Sequence, residues 1–473
     1  MDNQRATWGS NFGFLMAAIG SAVGLGNIWG FPYKMGNSGG FAFLVVYLVL
    51  AAVVGFTVLL CELSLGRRAR KGCIGAYHRL ASRKFAWVGW LGGLSAFIIM
   101  SFYTVLGAYC LKYMVVNFGD ILGLSFGANG TDGGKIFGGL LTSQLESWVY
   151  TLVFVAATGA IIMGGIDAGI ERFNKYAMPL LFVMLLIIIA RSVTLEGAEK
   201  GLAFMFQPNW EPLKNNFFGV LATASGQMFF SLSLGMAIMV TYGSYLPKSD
   251  NIERDAAVIV ISDTVIAILA GVAVLPAAFA LGGENAALAG PKLLYITLQN
   301  VFNAMGSIGP WIGFLFYTLV VIAALSSLIS LMETTVTFII DSHEARQAIH
   351  NRKRITFWVC VAVMAEATIV ALDGLGSNGL WVPGQSLFGV HTWNDCWLDF
   401  MDAWSEGFMM PLGAFLTCLF VGYELKIGTL ADEIEQDGIK FRSKKFVEIC
   451  LKYIAPVILL FVLYNQLKDF GLI

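Results

Sequence analysis

Gly20-Ser21-Ala22-Val23-Gly24-Leu25-Gly26-Asn27 places three glycines within seven residues in the middle of an apolar segment. Each glycine costs about 1 kcal/mol against alanine in a helix interior, so three together invite unwinding. A second interrupted stretch follows at Gly226-Gln227-Met228-Phe229-Phe230-Ser231-Leu232-Ser233-Leu234-Gly235, polar and glycine-punctuated between apolar flanks. One glycine-rich span is equally well explained by close packing of helices through small residues. Two of them, five spans apart, occupy corresponding places in two five-helix halves. That is the pattern of an inverted-repeat transporter with its site at the breaks, where freed carbonyls hold a cation and half-helix N-termini hold a carboxylate.

The spans follow from composition. The 473-residue chain is 57% hydrophobic and 13% charged, well below the roughly 25% charge of a soluble protein. Residues 41–61 and 310–332 carry no charge at all, and each run can cross the roughly 30 Å hydrocarbon layer as a helix. Eleven segments are expected, near 11–36, 40–66, 85–118, 147–164, 170–191, 216–246, 254–282, 309–340, 353–372, 400–423 and 447–467. The fold class is therefore all-α integral membrane: eleven transmembrane helices in a 5+5 inverted repeat with helices 1 and 6 discontinuous. A single domain, 1–473, is expected, with repeats at about 11–191 and 216–423 and an extra helix at about 447–467.

Residues 66–84 hold Arg67, Arg68, Arg70, Lys71, Arg79, Arg83 and Lys84 without an acid, and Arg346, Arg352, Lys353 and Arg354 fall on the same side. Residues 373–402 hold four aspartates and no Lys or Arg. The bias of basic loops toward the cytoplasm puts the N-terminus inside and, after an odd number of spans, the C-terminus outside, in the cell (plasma) membrane. A formal net charge of −1 gives no sign of a nucleic-acid partner. The first apolar segment lacks the form of a signal peptide. Seven scattered cysteines and four dispersed histidines suggest neither a disulfide framework nor a zinc site.

Ionisable residues inside spans are candidate functional groups by default. Asp263 is the only charge between Asp255 and Glu284. Glu62, Glu333 and Glu366 lie nearer span ends or beside polar neighbours, where a structural ion pair competes as an explanation. Ser326-Ser327 sets two hydroxyls in an apolar run. Such serines commonly bond back to their own helix, yet oxygen-only ligands are also what Na⁺ requires.

Three stretches carry a resemblance: residues 20–32 (GSAVGLGNIWGFP), residues 169–179 (GIERFNKYAMP), and residues 229–235 (FFSLSLG) followed by 241–245 (TYGSY). They resemble, in order, the first-, fifth- and sixth-span motifs of the neurotransmitter:sodium symporters, and the similarity runs from Arg5 to about Pro456. The inverted-repeat rule was learned partly from that family, so the two readings overlap. The resemblance implies a bacterial eleven-span carrier and two Na⁺ ions. One sodium would meet the Ala22 carbonyl, Asn27, Ser231, Asp263 and the substrate carboxylate. The other would meet the Gly20, Val23 and Ala323 carbonyls with Ser326 and Ser327. The substrate's carboxylate would meet the Leu25 and Gly26 amides and Tyr103, and its ammonium the carbonyls near Ala22, Phe230 and Ser231. Its side chain would lie among Ser21, Ile99, Tyr103, Phe230, Ser233, Met236, Leu328 and Leu331, with Ser327 also at the substrate. Phe230 and Tyr103 would close the outer lid, while Arg5 with Asp341, backed by Trp8 and Tyr245, would close the cytoplasmic side.

Departures from the family sharpen this. Gly24 stands where the monoamine carriers use aspartate, which favours an α-amino acid as cargo. Asp263 and Ala267 stand where chloride-dependent members have Asn and Ser, so Asp263 would replace chloride's charge beside Tyr47, Gln227 and Ser231. Gly30 stands where the outer-gate arginine is expected, although its aspartate partner survives as Asp402. Lys34, four residues on and hence on the same helix face, either stands in for that arginine or is simply solvated in the vestibule.

The expected function is sodium-coupled inward symport of an α-amino acid, aliphatic or aromatic by its apolar lining, without chloride. Ser21 and Ser233 leave room for a polar cargo. A sodium-independent amino-acid exchanger of the same architecture is the alternative, opposed by Asn27, Asp263 and the Ser326-Ser327 pair. An enzyme is not expected: Gly123-Leu-Ser-Phe-Gly127 fits the G-x-S-x-G pattern but lies in a loop between spans, without the strand-to-helix turn that motif needs. A channel would show a filter built from repeats or rings, and no such repeat is visible. The partners are the amino acid and the lipid bilayer; oligomeric state is not legible.

Overall fold

The computed structural model describes residues 6–80, 85–282, 292–342, 352–383 and 396–469. Among the described residues there are no strands, and nine helices are each long and apolar enough to cross a bilayer. These are α3 (Phe41–Ala69), α5 (Ala86–Ile121), α6 (Gln144–Met163), α7 (Ile166–Ser192), α10 (Ile252–Ala280), α11 (Gly306–Asp341), α12 (Arg352–Asp373), α13 (Trp397–Ile434) and α14 (Lys444–Lys468). A short helix, α4 (Cys73–Leu80), follows α3. The first span is broken into α1 (Asn11–Ala22) and α2 (Gly26–Asn37), which meet at 49°. The sixth is split into α8 (Phe217–Ser231) and α9 (Ile238–Gly243). Among the described residues, nine continuous spans and one bent span account for ten of the eleven expected, and the split pair α8 and α9, neither long enough to cross alone, stands at the sixth.

Local chemistry explains both breaks. α1 starts where the Ser10 side chain accepts from the Gly13 amide at 3.0 Å, an N-cap that satisfies one of the unpaired amides of the first turn. It stops because Val23 turns extended (φ −77°, ψ 98°). α8 is capped in the same way by Asn216 on the Gly219 amide at 3.0 Å. It is followed by three left-handed residues, Ser233, Gly235 and Ala237, at φ +54°, +79° and +58°. Backbone freed at membrane depth needs partners from protein, and buried Glu62 on α3 supplies one by accepting from the Gly235 amide at 2.8 Å. Glu62 thus serves the break structurally.

The expected segments find their helices, most of them one turn or less longer. The exception is α13, which continues well past residue 423 through a kink at Lys426 (φ +65°). α5 and α11 form the most extensive helix pair, and α1 packs against α7, α10 and α11. The first break is therefore held among α7, α10 and α11. Leu145, Val153, Tyr176, Val183, Trp358 and Val457 point outward from α6, α7, α12 and α14, as the lipid-facing surface of a multi-pass membrane protein should.

Two residues counted as loop charges are neither exposed nor in loops. Arg67 is fully buried in the last turn of α3, bonded to Glu433 Oε1 at 2.7 Å, to the Asp250 carbonyl at 2.7 Å and to the Glu433 carbonyl. Arg352, at the start of α12, pairs with buried Glu333, which also accepts from Tyr245 at 2.8 Å. A buried guanidinium needs this many acceptors because its desolvation is otherwise uncompensated. Arg346, Arg83 and Lys84 lie outside the described residues.

Candidate functional site

A small cavity lies where the two breaks meet. It is lined by ten of the expected residues, with Ser21, Ala22, Gly26 and Ser233 from the breaks and Ile99, Tyr103, Phe230, Met236, Ser327 and Leu331 around them. Gly24, singled out for its missing carboxylate, also lines it, as does Ile238, which was not foreseen. Its free volume is about 20 Å³, room for about one water molecule. Leu328 does not line it. Ser327 and Leu331 are four apart on α11 and share the cavity face, whereas Leu328 is turned about 100° from Ser327 and is buried in the core. Leu25 and Ser231 are likewise set back: Leu25 reaches the site through its amide, and Ser231 turns away toward α10.

One end of the cavity is polar. The Tyr103 hydroxyl accepts from the Leu25 amide at 3.1 Å and is hydrogen-bonded to Ser327. The Ser21 carbonyl accepts from Ser327 Oγ and from Ser233 Oγ, each at 3.1 Å. The Ser21 hydroxyl donates to Ser330 at 2.7 Å, a contact the sequence did not suggest. The other end is apolar, formed by Ile99, Phe230, Met236, Ile238 and Leu331. Gly24 is required for close approach: a methyl group there would strike the Tyr103 hydroxyl and come within 2.5 Å of Ser327 Oγ.

Behind this polar end is a fully buried cluster around Asp263. Its carboxylate accepts from Asn27 Nδ2 at 2.7 Å, from Ser231 Oγ at 3.0 and 2.9 Å, and from the Tyr47 hydroxyl at 3.3 Å. Asn27 Oδ1 accepts from the Gly24 amide at 3.2 Å, so this side chain joins the first break to α10. Gln227 donates to the Gly26 carbonyl at 2.8 Å, and its own Oε1 has no hydrogen-bond partner among the described residues. No ion pair to Asp263 occurs among the described residues. A buried carboxylate met only by neutral amide and hydroxyl groups, without a cationic side chain, keeps its charge available for a hard monovalent cation.

The second oxygen set lies between α1 and α11. Ser326 Oγ donates to the Ala323 carbonyl at 2.8 Å, and Ser327 Oγ lies 3.4 Å from the Gly20 carbonyl. Val23 is the extended residue of the break. All five expected residues are thus at the same seam.

On the face that carries the basic loops, Trp8 plugs the underside. Its indole N–H donates to the Tyr242 carbonyl at 3.1 Å, and its ring meets Tyr242 and Tyr245 edge-on at 5.1 and 6.0 Å. Asp341 accepts from the Gly72 amide at 2.5 Å; Arg5 lies outside the described residues. On the opposite face, Lys34 is neither solvated alone nor paired with Asp402. Its ammonium is 3.0 Å from Glu406 and 5.9 Å from the centre of the Phe230 ring. Glu406, one turn beyond Asp402 on α13, takes the place expected of Asp402. Above it opens a cavity of about 720 Å³ lined by Lys34, Glu406, Asn215, Asn216, Asn465 and Gln466, among others.

The chain is similar to known proteins over nearly its whole length. The profile of the sodium:neurotransmitter symporter family matches residues 5–129 and 139–472. An uncharacterised sodium-dependent transporter of Bacillus subtilis, YhdH, is 34% identical over 97% of this chain and 97% of its own. An uncharacterised sodium-dependent transporter of Haemophilus influenzae is 31% identical over 98% of this chain and 99% of its own. The crystal structure of MhsT in complex with L-phenylalanine superposes with a TM-score of 0.83 at 34% identity, covering 98% of this chain and 100% of that one.

Proposed function

The chain belongs to the sodium:neurotransmitter symporter family and is a sodium-dependent transporter, and from that premise we propose that it carries an aliphatic or aromatic α-amino acid into the cell. The observation that carries this reading is the two-ended cavity: the Leu25 amide and Tyr103 hydroxyl at one end, and the wall of Ile99, Phe230, Met236, Ile238 and Leu331 at the other. The first end suits a carboxylate and the second an apolar side chain. MhsT, of similar fold, was crystallised with L-phenylalanine. Gly24 leaves no pocket carboxylate to pair an isolated amine.

In this reading two sodium ions are bound. The first lies by the Ala22 carbonyl, Asn27, Ser231 and Asp263, sharing the cargo's carboxylate. The second lies among Gly20, Val23, Ala323, Ser326 and Ser327. Sharing a carboxylate couples the two binding events, since neither charge is satisfied alone. With the interior at about −60 mV, each positive charge moved inward gains about 1.4 kcal/mol, scaled from 2.3 kcal/mol per 100 mV. Asp263 supplies the anionic charge that chloride would otherwise provide, so transport proceeds without chloride. Phe230 and Tyr103 with the Lys34–Glu406 pair close the outer side, and Trp8, Tyr245, Arg5 and Asp341 the inner side. The N-terminus is cytoplasmic and the C-terminus external. The two repeats (about 11–191 and 216–423) and the extra helix (about 447–467) form one domain.

A thermal-shift screen of purified protein against the twenty amino acids, in Na⁺ and in K⁺, tests the proposal. Ligand binding raises apparent stability by mass action, so shifts are expected for aliphatic or aromatic amino acids in Na⁺ alone. Equal shifts in K⁺ would instead support a sodium-independent exchanger, and no shift with any amino acid would refute the cargo class.

A further inference from the structure

Asn174 is fully buried in α7, four residues past Ile170, whose carbonyl accepts from its Nδ2 at 2.9 Å. That bond determines the orientation of the amide, because only the nitrogen limb can donate. The other limb, Oδ1, has no hydrogen-bond partner among the described residues. An amide oxygen left in this way costs about 1–3 kcal/mol, so a buried one calls for a partner.

The direction of Oδ1 identifies the partner's chemistry. It lies directly over Gly20: a methyl group on Gly20 would collide with it and would come 3.2 Å from both Ser326 Cβ and Met178 Sδ. The Ser326 hydroxyl at this seam is already given to the Ala323 carbonyl at 2.8 Å. The seam where α1, α7 and α11 converge is therefore lined by oxygens from all three helices: the Gly20 and Ala323 carbonyls are approached by serine hydroxyls, and Asn174 Oδ1 has no donor among the described residues. A cation satisfies such a set, whereas a water must also place two hydrogens.

We propose that Asn174 Oδ1 is a further oxygen of the second sodium site, contributed by the fifth span to the set of Gly20, Val23, Ala323, Ser326 and Ser327. The inference rests on reading those five residues as a sodium site. Asn174 then acts on sodium affinity without touching the amino acid.

The test is a sodium titration of thermal stability in detergent, with K⁺ holding ionic strength constant and no amino acid added. Asn174→Leu keeps the shape and removes the oxygen; Asn174→Ala serves the same purpose if the leucine variant does not fold. Asn174→Asp keeps an oxygen and adds charge. Ser326→Ala is the control for the site itself. The oxygen-free variant should need about three- to tenfold more sodium for half its stabilisation, as expected on losing one charge–dipole contact. Asn174→Asp should need no more than the parent. If Ser326→Ala raises the sodium requirement and Asn174→Leu does not, Asn174 only packs against Gly20 and the proposal is overturned. If neither Ser326→Ala nor Ser327→Ala changes the titration, the sodium-site reading fails first, and the proposal with it.

Discussion

The Ser233 hydroxyl donates to the Ser21 carbonyl at 3.1 Å, so the interruption in the sixth span is tied directly to the end of α1. Ser233 does this at φ +54°, a left-handed conformation that costs a non-glycine residue about 1 kcal/mol or more. The hydrogen bond contributes about 1 kcal/mol in return. Ser233→Gly loses the bond but relieves the backbone, and should melt close to the parent. Ser233→Ala loses the bond and keeps the strain, and should be less stable than the glycine variant by about 1 kcal/mol. Thermal melts in detergent decide this; an alanine variant as stable as the glycine variant would show that φ at this position is not strained.

Asp263 is the negative centre of its cluster, with Asn27, Ser231 and Tyr47 all directed at it. Uptake by the parent in proteoliposomes should be the same in chloride and in gluconate. Asp263→Asn should lose at least about tenfold in sodium affinity, a drop of about 1.4 kcal/mol, and any remaining uptake should be stimulated by chloride. A variant that transports equally well with either anion would remove the charge-replacement argument.

The Lys34–Glu406 pair is only partly exposed, at 25% and 18% for the two side chains, and Lys34 also rests over Phe230. Lys34→Met and Glu406→Gln should each speed release of bound amino acid by about two- to fivefold, and the double variant should do no more than either. The implied coupling is about 0.5–1 kcal/mol after solvent screening. Additive effects in the release rate would mean that the two side chains act separately.

Cys73 lies in α4, outside the membrane spans, packed with Ala237 at the end of the break and Val240 in the first turn of α9. Burial holds its thiol up to about 12. Alkylation proceeds through the thiolate, so a protein with Cys73 as its single cysteine should label very slowly at pH 7. The rate should rise about tenfold per pH unit well beyond pH 9, because a raised pKa leaves the reactive form scarce until then. Trp8→Ala removes the plug over Tyr242 and Tyr245, and should increase labelling at pH 7 by at least about tenfold. Unchanged labelling would place the opening motion elsewhere.

Much of this arrangement is legible from local chemistry. Glycines at 20, 24 and 26 and the polar run around Ser231 locate the breaks, because a helix cannot tolerate them cheaply at membrane depth. Asp263 is visible because a lone charge in an apolar run needs a reason. What is not legible depends on rotation and packing. Leu328 and Ser327 differ by one position in sequence and by about 100° in direction, and Lys34 chooses between Asp402 and Glu406 by a single helical turn. Ile238 enters the cavity only because the chain re-enters a helix at Ala237, which residue identities alone do not announce. Arg67 and Arg352 read as loop charges, whereas long basic side chains at helix ends can turn inward to buried carboxylates. Asn174 lies inside the 169–179 motif, yet its role is not legible there: an asparagine is informative only once its oxygen is seen to lack a donor.

The crowding at Gly24 bears on how such proteins change clients over evolutionary time. An aspartate placed there, as in the amine carriers, would have to share space with the Tyr103 hydroxyl and Ser327 Oγ, both within 2.5 Å of its first carbon. A single codon change would therefore require the Tyr103 hydroxyl or Ser327 Oγ to move aside before it yielded a new specificity. Space must first be made at residue 103 or 327, which makes the order of mutations, and not only their number, a barrier between the two trades.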